Sequence, residues 1–283
     1  MISMSGRLSF LVLLLWGLQL PAADSFPQRI VALTPHLVES LFAVGAGERL
    51  VGVVEYSDFP EAAKSIPRVG DSRALDLERI LALRPDLVVV WSGWVDAEVL
   101  ERLRRLGLRI HLSSAETPEE IADELEALGR LTGHAGEARR AAAEFRQRLG
   151  RLRRAHRSLP PLRVFYQIWD RPLITTGGGT FLDRAITLCG GRNLFGDLSD
   201  TAPSVSVEAV LARRPEVITG GAKGEKAVRW REQWRHWLGG ESGRGAPARV
   251  EFLDPDLLHR PGPRFIEGLE RLCDVLDGAR ADG

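Results

Sequence analysis

Cysteine is scarce in this chain: Cys189 and Cys273 are the two in 283 residues, and neither belongs to a CxxC pair. The six histidines, at 36, 111, 134, 156, 236 and 259, show no HxxH or HExxH spacing. A dedicated transition-metal site is therefore not expected, and the histidines read as surface or loop residues. Charge of one sign is also missing, since Lys+Arg and Asp+Glu both count 38. Without a basic surplus, nucleic acid is not an expected partner. The glycine runs Gly177-Gly178-Gly179 and Gly220-Gly221 lack the Lys-Ser/Thr of a phosphate loop, and no GxSxG elbow occurs, so they read as turns. Nothing here points to catalysis, and the chain is read as a non-enzyme with no resident cofactor.

No apolar run reaches the ~20 residues of a bilayer span. The run from Leu8 to Leu20, preceded by Arg7 and followed by Ala22 and Ala23, reads as a cleaved secretory signal over residues 1–23. No cysteine stands nearby for lipid attachment, so a free protein of the periplasm is expected. In an exported chain two cysteines favour a disulfide. Cys189 follows Phe181 and Ala185 at helical spacing, and Cys273 follows Phe265 and Leu269, so a bridge would staple two helices.

What is present is alternation. Short apolar strands, such as Leu87 to Trp91, exchange with amphipathic helices through most of the chain, which predicts α/β architecture with mostly parallel sheets. The stretch from Gly136 to Leu159 carries Ala141, Phe145, Leu149 and Leu152 at helical spacing and is closed by Pro160 and Pro161. It is read as one long connecting helix over 136–159, between an N-terminal lobe over 24–135 and a C-terminal lobe over 160–283. The segment beginning Leu77-Glu78-Arg79-Ile80-Leu81-Ala82 and ending Arg84-Pro85-Asp86-Leu87-Val88 is echoed by Val207-Glu208-Ala209-Val210-Leu211-Ala212 and Arg214-Pro215-Glu216-Val217-Ile218. Two related Rossmann-like lobes facing a common cleft follow from that echo. The segment from Gly239 to Pro247 reads as a surface loop, and the tail after Leu276 as frayed.

Aromatic residues mark the cleft. Tyr56, Trp91, Trp94, Tyr166 and Trp169 lie at or just beyond strand C-terminal ends, where open α/β sheets bind their ligands. Flat side chains there suit a large planar ligand. Trp230, Trp234 and Trp237 form a helical stripe and read as core.

Nearly all of the chain after residue 23 resembles the periplasmic cobalamin-binding proteins of ABC importers, a family of substrate-binding proteins whose lobes are joined by a rigid helix. The stretches that carry the resemblance are RIVALTPHLVESLFAVGA, VGVVEYSDFPEAA, LDLERILALRPDLVVVWSG, VFYQIWDRPLITTGG, LCGGRNLF and VSVEAVLARRPEVI. It implies a corrinoid as transported ligand, held by Tyr56, Trp91, Gly93 and Trp169 together with a second-lobe loop of Asp256, Leu257, Leu258, His259 and Arg260. Where some members place tryptophans this chain has Ser72 and Ala202, and where some place an aromatic pair it has Leu257 and Leu258. The resemblance also implies that Glu78 and Glu208 dock onto arginines of a two-fold membrane permease, and that the binding protein acts as a monomer. Haem or a ferric siderophore is the alternative ligand within this architecture, and a secreted hydrolase is the alternative outside it.

Overall fold

The computed structural model describes residues 26–71, 74–93, 95–239 and 248–282. The expected signal, Ser72, Trp94 and loop residues 240–247 lie outside them. The first lobe runs β1 (Ile30–Ala32), α1 (Pro35–Ala43), β2 (Leu50–Val53), α2 (Leu77–Ala82), β3 (Leu87–Trp91), α3 (Ala97–Arg105), β4 (Ile110–Ser113) and α4 (Pro118–Thr132). A long helix, α5 (Ala135–His156), follows. The second lobe runs β5 (Leu162–Gln167), the small antiparallel pair β6 (Trp169–Asp170) and β7 (Leu173–Ile174), α6 (Phe181–Leu188), β8 (Gly191–Asn193), α7 (Val207–Ala212) and β9 (Val217–Gly220). It ends with α8 (Glu225–Leu238), β10 (Arg249–Val250), α9 (Pro255–Leu258) and α10 (Phe265–Asp282).

Each lobe has one parallel four-stranded sheet, in the order β2-β1-β3-β4 in the first and β8-β5-β9-β10 in the second. Read position for position these are the same topology, so the sequence echo is a structural repeat. It extends to the backbone. The side chains of Asp76 and Ser206 cap α2 and α7, accepting hydrogen bonds from the N–H groups of Arg79 and Ala209. Arg84 and Arg214, each just before the repeat's proline, both adopt positive φ, at 47° and 51°. Strand β3, Leu87–Trp91, is buried along its first four residues, as expected for a parallel strand covered on both faces.

The inner sheet faces and α1, α4, α5, α6, α9 and α10 contribute to one continuous core that crosses from lobe to lobe, while two smaller cores fill the outer faces. Helix α4 starts with a Thr117–Glu120 capping box and stops at left-handed Gly133. It meets α5 very closely, because a Cβ on Gly129 would stand 2.1 Å from the Cβ of Ala138. Basic residues of α5 then grip both lobes. Arg146 bonds Asp123 at 2.6 Å and Glu126 at 2.5 Å on α4, and Arg153 pairs with Glu119. On the other side Arg148 forms a two-pronged pair with Glu270 of α10 at 2.9 and 2.6 Å. His156 reaches Asp277 of α10 at 3.0 Å.

Cys189, which caps α6, and Cys273 of α10 form the expected disulfide inside the common core. Trp230 and Trp234 are buried in the outer core of the second lobe, as their stripe predicted, with Trp237 half-buried beside them. Three expectations need correction. The segment after Leu276 is not frayed: α10 continues to Asp282, held by Arg249–Asp282 at 2.9 Å and by Arg280 donating to the Gly190 carbonyl at 2.8 Å. His36 and His156 are buried rather than superficial, His156 because both ring nitrogens find partners. Leu257 and Leu258 are the third case, treated with the site.

Candidate ligand-binding cleft

In a parallel α/β sheet the strand C-terminal edge is where loops gather. Both sheets turn these edges toward the segment at 256–264, and ion pairs tie the two lobes there. Glu39 of α1, 3% exposed, accepts from Arg264 at 2.9 and 2.7 Å and from Arg260 at 3.2 Å. Arg260 also donates to Asp58 at 3.0 Å and pairs with Asp256 at 2.8 Å. The Arg264 guanidinium lies 3.9 Å from the centre of the Phe59 ring. Burial by itself would raise the pKa of Asp58, but the hydrogen bond and charge of Arg260 outweigh it and hold the carboxyl below its ordinary range.

Tyr56 stands in the same loop as Asp58 and Phe59. It is 75% exposed and sits at φ 64°, a left-handed conformation that disfavours a side chain. A large ring held out into solvent on a strained backbone gains nothing for the fold, which points to a task outside it. Trp91, at the end of β3, is half-buried with its ring edge-on to His36, centroids 5.3 Å apart. Gly93 lies against it, and a Cβ there would come within 2.7 Å of the Trp91 ring. The Trp91 Nε1 and the His36 Nε2 are both buried with no hydrogen-bond partner among the described residues. Burial, then the charge of Arg260, push the His36 pKa down to about 3, so the imidazole is neutral.

In the second lobe Trp169 is half-exposed on β6, and the Lys226 Nζ sits 4.2 Å over its ring. His259 presents an exposed edge, while its Nε2 lies 3.0 Å from the hydroxyl of fully buried Tyr166. Among the described residues that buried phenol has no other hydrogen-bond partner; a buried hydroxyl satisfied by donating to Nε2 leaves the His259 proton on Nδ1. Gly221 makes room for the ring, since a Cβ there would fall 2.3 Å from it. Desolvation of the ring nitrogens first, and the charge of Lys226 second, push the His259 pKa down to about 4 against an opposing pull from Asp256.

Arg260 of the implied loop, itself paired with Asp256, thus meets the Tyr56–Phe59 loop through Asp58, and His259 lies next to it in the chain against Tyr166 and Gly221. Leu257 and Leu258 do not join them. They are 4% and 0% exposed, because α9 turns its apolar face onto α10, where Gly268 leaves space for Leu257. Both are core residues. Glu39, Arg264, His36 and Lys226 were missed by sequence reasoning; the Pro35-His36 pair inside a strand-to-helix turn was a usable signal for one, and the others had none. Among the described residues, no group of three or more His, Cys, Asp or Glu side chains is placed to hold a metal ion.

Glu78 and Glu208 occupy the first turns of α2 and α7, fully outside this network. Each helix feeds a parallel strand and so runs antiparallel to it, which puts both carboxylates on the rim at the strand C-terminal edge. Both residues are exposed. Bonds from its own backbone N–H and the Ser206 hydroxyl lower the Glu208 pKa.

Repeated lobes, a helix fixed to both, and exposed rings at a polar junction define a solute-binding protein. The chain belongs to the periplasmic binding protein family, whose model matches residues 30–233. It is 38% identical over 255 residues, 90% of this chain and 91% of the relative, to a vitamin B12-binding protein of Vibrio cholerae. The crystal structure of the periplasmic vitamin B12 binding protein BtuF of Vibrio cholerae superposes with a TM-score of 0.82 at 38% identity, covering 90% of this chain and 98% of that one. A periplasmic heme binding protein from Pseudomonas aeruginosa is also similar, with a TM-score of 0.71 and 31% identity over 87% and 91% of the two chains. These relatives are named as binding proteins, not as enzymes.

Proposed function

We propose that this chain captures cobalamin between its lobes in the periplasm and delivers it to an inner-membrane ABC permease. The observation that carries the reading is Tyr56: exposed, left-handed, and set beside the junction of the lobes. The 38% identity to proteins named for vitamin B12 binding supports the choice of ligand. Tyr56, Trp91, Gly93, Trp169, Asp256, His259 and Arg260 are the proposed binding residues. The rings of Tyr56 and Trp169 would cover the faces of the macrocycle, Trp91 and Gly93 would line the cleft, and Asp256 and Arg260 fix the loop that carries His259. Glu78 and Glu208 are proposed to dock the permease without touching the ligand, and the chain is proposed to act as a monomer.

An absorbance titration of the purified protein tests this. Cobalamin should bind one to one with a shifted corrin spectrum, and Tyr56→Ala should weaken it several-fold, the effect of an aromatic contact worth ~1 kcal/mol. Binding of haem with a Soret band, with no response to cobalamin, would replace the ligand, and an undiminished Tyr56→Ala would remove Tyr56 from the site.

A further inference from the structure

Lys226 is held unlike any other described lysine. It stands in the first turn of α8 with its Nζ 4.2 Å from the centre of the Trp169 ring and 4.3 Å from that of Trp230. The first ring is half-exposed and the second fully buried, so the cation is clamped at a boundary between core and solvent. Among the described residues no carboxylate comes within 4.0 Å of it, and the nearby Asp170 faces Arg229 at 3.9 Å. The neighbouring Lys223, by contrast, is consumed by Asp254 and Asp256. Desolvation lowers the Lys226 pKa, with Arg229 adding to the effect and Asp170 opposing it. Its charge is felt by His259, whose Nε2 is engaged by the Tyr166 hydroxyl, so that Nδ1 is the ring nitrogen left over as a donor.

A lysine stacked on indole faces keeps its charge while losing much of its water and its freedom. Such a cation lacks an anion, and a positioned N–H donor within its field adds direction to the charge. We propose that Lys226, assisted by His259 Nδ1–H, is the subsite for an anionic oxygen group of the ligand, and that in a corrinoid this group is the phosphodiester of the nucleotide loop. The inference rests on the cobalamin reading above and adds a specificity: the chain distinguishes a complete corrinoid from a truncated one without the phosphate. A charge-assisted bond to an oxyanion outweighs a neutral one, so the discrimination is worth about tenfold in affinity, the factor to which ~1.4 kcal/mol corresponds.

The test compares cobalamin with cobinamide, which lacks the phosphodiester, on the full protein and on Lys226→Met and Lys226→Arg. Methionine keeps the stem and the stacking but drops the charge. The parent should prefer cobalamin, more so at low ionic strength. Lys226→Met should lose about tenfold toward cobalamin and nothing toward cobinamide, and Lys226→Arg should retain the preference. Retained cobinamide binding shows that the variant is folded. Equal losses for both corrinoids, or none for either, overturn the subsite. If the parent binds neither corrinoid but binds haem, the cobalamin reading fails separately. The subsite then stands only if Lys226→Met weakens haem, whose propionates supply the anion, and falls if haem affinity is unchanged.

Discussion

His36 is a buried residue whose protonation the fold controls. It has a nitrogen without a partner among the described residues and a pKa pushed down to about 3, against 6.5 for an ordinary imidazole. The unfolded chain takes up a proton below about pH 6.5 that the folded chain refuses, so stability is full above that value and falls as pH drops toward the folded pKa. His259 acts in the same direction down to about 4. At ~1.36 kcal/mol per pH unit, the loss from His36 between about pH 6.5 and about pH 4.5 is on the order of 2 to 3 kcal/mol. Urea unfolding at about pH 7.5 and about pH 4.5 should show His36→Leu losing less stability than the parent by roughly that amount. Parallel losses in the two proteins would mean that His36 takes up its proton in the folded state. Tyr56 and Trp169 were legible as candidate site residues from their places just beyond strand ends, and both are exposed, whereas Tyr166, grouped with them by the same reasoning, is fully buried in the core. The role of Glu39 was not legible, since its partners Arg260 and Arg264 lie more than two hundred residues away in the chain.

Among the elements, α6 and α10 are the pair that a covalent bond secures. The disulfide closes 84 residues of chain, which in the chain-entropy view corresponds to about 4 to 5 kcal/mol. Thiol titration of the denatured, unreduced protein should find no free thiol, and reduction should lower the urea midpoint strongly. Reactive thiols in the unreduced protein would contradict the bridge. Helix α5 came out of the sequence almost at its observed ends: apolar spacing predicted residues 136–159, and it spans Ala135–His156. The short elements did not. β6, β7, β8 and α9 are two to four residues long, too few to show a period, and they exist because a partner is supplied in space: β6 and β7 by each other, β8 by β5, and α9 by α10.

For the whole molecule, the repeat has a consequence that neither lobe has alone. Glu78 and Glu208 open equivalent helices in lobes of one topology, so under the proposed docking role they would offer matched carboxylates to a two-fold partner. Because α5 is fixed to α4 by Arg146 and Arg153, and to α10 by Arg148 and His156, their spacing should persist whether or not ligand is bound. An arginine on each half of the permease could then take one carboxylate. Replacing both with Ala should leave corrinoid affinity within error while abolishing most ligand-stimulated transport in a reconstituted importer. Loss of ligand binding in the double variant, or full transport by it, would return both residues to ordinary helix N-terminal positions favoured by the dipole.

Hydrophobic period, capping residues and the internal echo are local properties, and they determined the α/β class, the two lobes, the long helix and the longer strands of both sheets. The sequence also supplied the disulfide, because two cysteines leave one pairing. What only the tertiary structure decided is which side chains share a charge or a cavity. Leu257 and Leu258 sit next to Asp256 and His259 in sequence, yet the one-sided contact of α9 with α10 sends the leucines into the core and leaves the polar pair at the junction of the lobes. Lys226 reads as one surface lysine among others until the fold lays Trp169 and Trp230 against it. Burial and long-range pairing set these environments, and neither has a signature in a short stretch of chain.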